Sequence, residues 1–302
     1  MSHNEELDQT VIAERRKLVS LAFRMLGTVA EAEDAVQETY TRWYRLGEDE
    51  RAAIENPAAW LTRVASRICL DVLGSARARH ERYVGPWLPE PVPPAVFADA
   101  APIDPLDQVT LDDSVSSALL VVLESMTPAE RVAFVLHDVF ALPFGEIAEV
   151  VGRSPAACRQ LATSARRRIA AAPMRTVTRA EHEAAVMAFA AATAAGDLNA
   201  LIAALDPDVV LRSDGGGRVS SALKPIVGAD RVARFLLGVA QKRPDAVVLP
   251  QPTHDGLGFA IWEDGIIIGV LTLDVRAGRV AALRMVMNPD KLTLWNSVER
   301  AT

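Results

Sequence analysis

The sequence predicts a multidomain protein: two all-α segments followed by an α+β domain. Three observations predict it. Apolar residues recur at spacings of three and four over 8–82 and again over 113–172, the period of a half-buried helix. A proline-rich stretch, 83–112, separates the two segments. Beyond residue 175 helical patterns come first and apolar strands joined by glycine turns come last, an α+β order that runs to residue 292.

The first segment reads as a helical bundle. Leu18, Leu21, Ala22, Met25 and Leu26 form one apolar stripe, Gly27 ends that helix, and Thr28 caps the next. That next helix, 31–45, places Asp34, Gln37 and Glu38 on one polar face, where a carboxylate and an amide face a partner or only water. Asn56-Pro57 opens a third helix, expected to end at Leu73, with Trp60, Leu61, Val64, Ile68 and Leu70 as its apolar positions. Arg63 and Arg67 lie a turn apart beside Trp60, and Arg77, Arg79 and Arg82 extend the basic run. Cations beside rings suit single-stranded DNA, phosphate to the first and unpaired bases to the second. The rings available are Trp43, Tyr44, Trp60, Tyr83 and Trp87, with Trp60 also counted as core.

In the connecting stretch, Pro86, Pro89, Pro91, Pro93, Pro94, Pro102 and Pro105 favour an extended, semi-rigid chain. Trp87 and Leu88 are unusual in a plain spacer.

The second helical segment contains FGEIAEVVGRSPAACRQLATSARRRI, 144–169, which reads as a helix-turn-helix. Gly152 is the left-handed stop, Ser154 the N-cap and Pro155 the first helical residue. Cys158, Leu161, Ala165 and Ile169 form the expected buried stripe. Arg159, Gln160, Thr163, Arg166 and Arg167 form the opposite face, with Ser154, Ala156 and Ala157 at its leading end. A short, basic, outward-facing second helix suits the major groove of duplex DNA.

Net charge is −7, yet its distribution is uneven. Seven arginines and no acid lie between Arg153 and Arg179, so a local patch is expected to be able to bind phosphate on an acidic protein. Cys69 and Cys158, the only cysteines, fall in separate helices without CxxC spacing, so neither a disulfide framework, a metal site nor a cofactor is expected. No apolar run reaches the roughly 18 residues of a membrane span, and the polar, acidic N-terminus does not read as a secretory signal. A cytoplasmic setting is expected.

In the C-terminal third, Thr178 caps a helix carrying Ala185, Phe189 and Ala192 on one side, Gly196-Asp197 breaks it, and a short helix follows to Leu205. A strand then ends in Asp214-Gly215-Gly216-Gly217, 229–242 is a helix, and three strands follow at 258–263, 266–274 and 280–287. Asp264-Gly265 and Ala277-Gly278 are their hairpin turns. Asp214, Asp274 and His254, with Arg212, are the acid, base and electrophile candidates, but no spacing links them to one cavity, and Asp214 with three glycines is also an ordinary turn.

Taken in order, these segments resemble the extracytoplasmic-function group of the sigma-70 family, bacterial RNA polymerase sigma factors. AEAEDAVQETYTRWYR is similar to that family's core-binding helix, with Asp34, Ala35, Val36 and Gln37 at its polymerase-contact motif. NPAAWLTRVASRICLDVL resembles its promoter-melting helix, with Trp60, Arg63, Leu70 and Asp71 in place and Ser66-Arg67 where an Arg-Asn pair is frequent. MTPAERVAFVLHDVFALPFGEIAEVVGRSPAACRQLATSARRRI resembles its fourth-region domain. The resemblance implies a region 2 helical bundle that binds polymerase core and melts the minus-ten element through Trp60, Arg63, Arg67, Arg77, Arg79 and Arg82. It implies a region 4 helix-turn-helix that reads the minus-35 element. YVGPWLPEPV, SDGGGR and NPDKL are similar to motifs of the SigJ-type sub-family, which carries a C-terminal SnoaL-like cone domain, a bent sheet around a pocket. On that resemblance Trp87, Leu88 and Pro89 of the linker, Asp214, Gly215, Gly216, Gly217 and Arg218, and Asn288, Pro289 and Asp290 form an intramolecular regulatory contact. The expected partners are polymerase core and promoter DNA, without a catalytic step and without a membrane. The alternative is a conventional helix-turn-helix regulator with a ligand-sensing or catalytic cone domain.

Overall fold

The computed structural model describes residues 11–80, 83–93, 117–171, 177–253 and 255–298. They form two compact units, one from the described residues of Met1–Glu81, Ala100–Val115 and Leu119–Ala172, the other from those of Arg82–Asp99, Ser116–Ala118 and Pro173–Thr302.

The first unit is all helix. α1 (Arg15–Leu26) and α2 (Val29–Arg45) are joined by Gly27, whose φ of 80° lets its amide return to the Phe23 carbonyl at 2.8 Å. Thr28 then accepts the Glu31 amide. α3 (Glu48–Ala52) is a short exposed turn. α4 (Pro57–His80) is capped by the Asn56 side chain, which accepts the Ala59 amide at 3.0 Å. It continues past the expected end at Leu73, through Gly74. A Cβ at Gly74 would meet nothing within 4 Å, so this glycine sits on an open helix face and costs only about 1 kcal/mol of helix propensity. Leu18, Leu21, Phe23, Met25, Val36, Trp43, Leu61, Ala65 and Cys69 close the core between α1, α2 and α4.

α5 (Ser117–Glu124) leads to α6 (Pro128–Phe134), whose start is fixed by a reciprocal capping box between Thr127 and Glu130. A π-helical turn, Val135–Val139, follows. α7 (Phe144–Val151) ends at Gly152, φ 68°, and α8 (Pro155–Ala171) begins with the Ser154 hydroxyl accepting the Ala157 amide at 3.2 Å. The buried stripe of α8 is Cys158, Ala162 and Ala165; Leu161 and Ile169 are only half-buried. Cys158 and Ala165 of the expected stripe are buried, and Ala162 takes the place expected for Leu161. Arg131 ties these helices to α1 by donating to the Met25 carbonyl at 2.8 Å.

The second unit is α+β. α9 (Arg179–Ala194) and α10 (Leu198–Ala204) precede β1 (Leu205–Asp214), β2 (Ile226–Val227), α11 (Ala229–Lys242), β3 (Val247–Thr253), β4 (Gly256–Glu263), β5 (Ile266–Arg276) and β6 (Arg279–Val286). A 3-10 turn (Pro289–Lys291) and α12 (Thr293–Val298) close it. The six strands form one sheet in the order β2-β1-β6-β5-β4-β3. It is mixed rather than antiparallel: β1 and β6 run parallel, which a sequence of hairpins could not reveal. β3 was unforeseen, since Pro250 and Pro252 argue against a strand; it lies at the sheet edge, where proline is tolerated.

One sheet face carries Val209, Leu211, Leu271, Leu273, Leu283 and Met285 against Val186 and Phe189 of α9 and Val232, Ala233 and Leu236 of α11. That face is an apolar core, where the cone-fold expectation placed a pocket. The alternate residues, among them Arg212, Asp214, Thr272, Asp274 and Arg284, point to the opposite face. There lies the segment 83–93.

Candidate functional site

The described residues gather the expected site residues on three candidate surfaces. The first is the outer face of α8. Arg159, Gln160, Thr163, Arg166 and Arg167 are all exposed, as are Ser154 and Ala156, while Ala157 is half-buried. Asp138, from the π-helical turn, receives Arg166 Nε at 2.6 Å. Arg168, by contrast, turns toward Glu130 on α6 at 3.8 Å. Burial pushes the Glu130 carboxyl up, but hydrogen bonds from Ser164 and Thr127 outweigh it and hold the group below its ordinary range.

The second surface is on α2 and α4. Asp34 and Gln37 are exposed, whereas Ala35 and Val36 are 3% and 2% exposed and belong to the bundle core. Ala35 and Val36 therefore seat the helix, leaving Asp34 and Gln37 as its outward groups. Beside Gln37 opens a groove of about 600 Å³ lined by Arg15, Glu33, Val36, Gln37, Tyr40, Thr41, Tyr44 and Arg45. In it the Tyr40 hydroxyl donates to the Val11 carbonyl at 3.0 Å, and burial pushes this phenol up to about 12. On α4, Trp60 is half-buried and meets Trp43 edge to face at 5.3 Å. Trp43 is fully buried, so it is no platform for a base. Arg63 pairs with Glu149 of α7 at 2.8 Å, and Arg67 is exposed one turn on. The backbone of Arg77 and Arg79 continues α4; their side chains, and all of Arg82, lie outside the described residues.

The third surface is internal to the second unit and is the most highly built. Asp214 ends β1, and its carboxylate collects four donors. Oδ1 accepts from the Tyr83 hydroxyl at 2.5 Å and the Gly216 amide at 3.0 Å; Oδ2 accepts from the Leu88 amide at 2.9 Å and Lys291 Nζ at 2.8 Å. Asn288 Nδ2 donates to the Tyr83 oxygen at 3.0 Å, and Lys291 also donates to the Leu88 carbonyl. Lys291 Nζ lies 4.0 Å from the Trp87 ring centroid and 5.2 Å from that of Tyr83. Trp295 Nε1 donates to the Pro91 carbonyl at 2.6 Å. Leu88, Pro89 and Pro91 pack on Val270, Thr272, Arg284 and Val286, leaving a void of only about 10 Å³. Burial first, then the Asp214 carboxylate, raises the Tyr83 pKa well above the tyrosine range.

The glycines are required here. A Cβ on Gly216, whose φ is 62°, would lie 2.5 Å from the Asn288 side chain, and one on Gly215 would lie 2.5 Å from the Val219 carbonyl. Arg218 reaches Asp290 at 3.2 Å on the surface, and Pro289 begins the 3-10 turn that delivers Lys291. Trp87, Leu88, Pro89, Asp214–Gly217, Asn288 and Asp290 are thus brought together. Tyr83 and Trp87 had been read as rings for unpaired bases; both are instead engaged with Asp214 and Lys291. Lys291 and Trp295 escaped sequence reasoning, although a lysine directly after Asn-Pro-Asp was the available signal.

Asp214 has no spare lone pair for catalysis. Asp274 is engaged with Arg284 across β5 and β6, Arg212 stands beside Arg284 in register, and His254 lies outside the described residues. Among the described residues, no cluster of three or more His, Cys, Asp or Glu is placed to hold a metal ion. None of the helices among them is long and apolar enough to cross a membrane.

A helical bundle followed by a helix-turn-helix with a basic outer face is the arrangement of a sigma-70-type protein, and the sequence comparisons assign it. Residues 11–79 match the family of sigma-70 region 2, and residues 116–169 that of sigma-70 region 4. The chain is 41% identical over 291 residues to the ECF RNA polymerase sigma factor SigJ of Mycobacterium tuberculosis, covering 92% of this chain and 91% of that one. It is 37% identical over 295 residues to the probable ECF RNA polymerase sigma factor SigI of the same species, covering 97% of each. The crystal structure of M. tuberculosis SigJ superposes with a TM-score of 0.72 at 38% identity, over 95% of this chain and 98% of that one. The chain belongs to the extracytoplasmic-function sigma factors. The conventional operator-binding regulator is thereby set aside.

Proposed function

We propose that this sigma factor docks on polymerase core through Asp34 and Gln37, captures the melted minus-ten strand with Trp60, Arg63, Arg67 and the arginines at the end of α4, and reads the minus-35 duplex with α8. We further propose that the C-terminal domain regulates output by gripping the linker. The observation that carries this regulatory reading is the Asp214 carboxylate, buried and satisfied wholly by Tyr83, Leu88, Gly216 and Lys291. A buried charge with every lone pair satisfied is a strong, specific tie. The apolar, filled helix-facing side of the sheet and the occupied Asp214 favour a non-catalytic role for this domain. The site of action is the cytoplasm, where polymerase acts.

In transcription reconstituted with purified core, Arg159→Ala and Gln160→Ala are expected to weaken use of promoters that depend on the upstream element, with core binding unchanged. Asp34→Ala is expected to weaken core capture instead. Loss of core binding in the α8 variants would show that the surfaces are misassigned.

A further inference from the structure

The guanidinium groups on the outer face of α8 are held in different ways. Arg166 gives Nε and its charge to Asp138. Arg167 is exposed on the same face. Arg159 lies with its guanidinium carbon 5.5 Å from the centroid of the Phe144 ring, and among the described residues no carboxylate pairs with it. Phe144 is itself backed on the π-helical turn: the His137 ring stacks on it at 3.9 Å with 30° between planes, and His137 Nδ1 is held at 2.9 Å from the Leu142 carbonyl. The result is a cluster of His137, Phe144 and Arg159 at the leading end of α8, with the Phe144 ring in contact with both of the others. Contact with a ring face restrains a guanidinium while leaving its N–H donors in the outer plane unspent. A carboxylate, as at Arg166, takes one of those donors and neutralises the charge. Two donors in a fixed fork match the O6 and N7 acceptors of guanine in the major groove. π-Helical turns often mark functional positions, and this one delivers His137 to the cluster and Asp138 to Arg166 in consecutive residues.

We propose that Phe144 is a positioning residue that holds Arg159 as the base-reading guanidinium of α8, directed at the major-groove edge of a guanine in the upstream promoter element. This rests on the reading of α8 as the recognition helix. The test is competition binding by holoenzyme to promoter duplexes with each base pair of the upstream element substituted in turn, together with 7-deazaguanine, which lacks the N7 acceptor, at each guanine. Arg159→Ala should lose about tenfold discrimination at one guanine, the size of one bidentate contact, and become indifferent to 7-deazaguanine there. Phe144→Leu should relax discrimination at that same base pair, the double variant should be no worse than Arg159→Ala, and Phe144→Tyr should retain it. Phe144→Met, closer in volume, serves where the leucine variant does not fold. If Arg159→Ala loses discrimination while Phe144→Leu and Phe144→Met keep it, the positioning role is overturned and the recognition helix stands. Uniform weakening on every sequence by the Phe144 variants, with a lowered melting temperature, also overturns it by reducing Phe144 to packing. If no α8 variant alters duplex binding, the recognition reading itself falls.

Discussion

Asp214→Ala tests the linker grip. In the wild type Asp214 is fully buried and Lys291 is 5% exposed. Removing the carboxylate takes the Asp214 counter-charge from the ammonium, which keeps the Leu88 carbonyl and two ring faces. Breaking a buried pair by deleting one partner costs about 3–5 kcal/mol. At about 1.4 kcal/mol per tenfold, the opening equilibrium of the segment 83–93 should rise by roughly two to nearly four powers of ten. The Trp295 indole N–H, bonded to the Pro91 carbonyl, is a reporter the substitution does not touch. Its hydrogen exchange should accelerate by at least about a hundredfold. Amides of α9 and β5, within the same unit, should keep their wild-type rates. Pairing Asp214→Ala with Lys291→Met removes the buried charge and should recover most of the loss. The reasoning fails if the indole exchanges at the wild-type rate. It fails equally if the double variant is as damaged as the single one, since burial of the charge would then not be the cause.

Two further predictions follow from charge and burial. Because the Tyr83 phenol is held above its ordinary value of about 10, the unfolded segment ionises first. The grip should therefore be intact below pH about 10 and weaken as pH rises above it; a difference titration at 295 nm between wild type and Tyr83→Phe that shows an ordinary ionisation near 10 would refute this. Glu149→Gln should alter thermal stability by less than about 1 kcal/mol, since Arg63 and Glu149 are 45% and 59% exposed, whereas Arg131→Met should cost about 3–5 kcal/mol by removing the ion pair with Glu124 and the hydrogen bond to the Met25 carbonyl, both made by a buried guanidinium. Calorimetry that ranks them the other way would show the exposed pair to be the structural one.

The helical segments were legible because their signals are local. Gly27, Thr28, Asn56, Gly152, Ser154 and Pro155 all act within one turn of their own backbone, and each sits where its chemistry demands. The expected end of α4 at Leu73 falls short of the observed one at His80, because the apolar stripe stops before the helix does. Arginine and alanine are good helix formers, and the backbone continued. The sheet was harder. Its hairpin turns at 264–265 and 277–278 were plain, with φ positive at all four residues. The parallel β1–β6 pairing joins residues some 70 positions apart and leaves no local mark. The linker contact was legible only as a set of motifs. That Tyr83 faces Asp214 rather than a base depends on a separation of 131 residues, and no periodicity encodes it.

The ionic contacts sort by burial, and the sorting matches the surfaces. Arg131, 4% exposed, spends its charge on Glu124 and the Met25 carbonyl; Lys291 spends its charge on Asp214. Neither is open to phosphate, and each fixes segments distant in sequence. Arg63, Arg67, Arg159 and Arg167 are exposed. Among the described residues, the one carboxylate pair of these four, Arg63 with Glu149, is of the solvent-screened kind worth about 1 kcal/mol or less. A DNA phosphate can displace such a partner at little cost, while no phosphate can reach the buried pairs. On the proposed reading of α4, a phosphate that displaces Glu149 from Arg63 couples DNA capture to the seating of α7, weakly and with strong salt dependence. On that reading α7 is loosened from α4 at its exposed edge while Arg131 still holds α6 against α1.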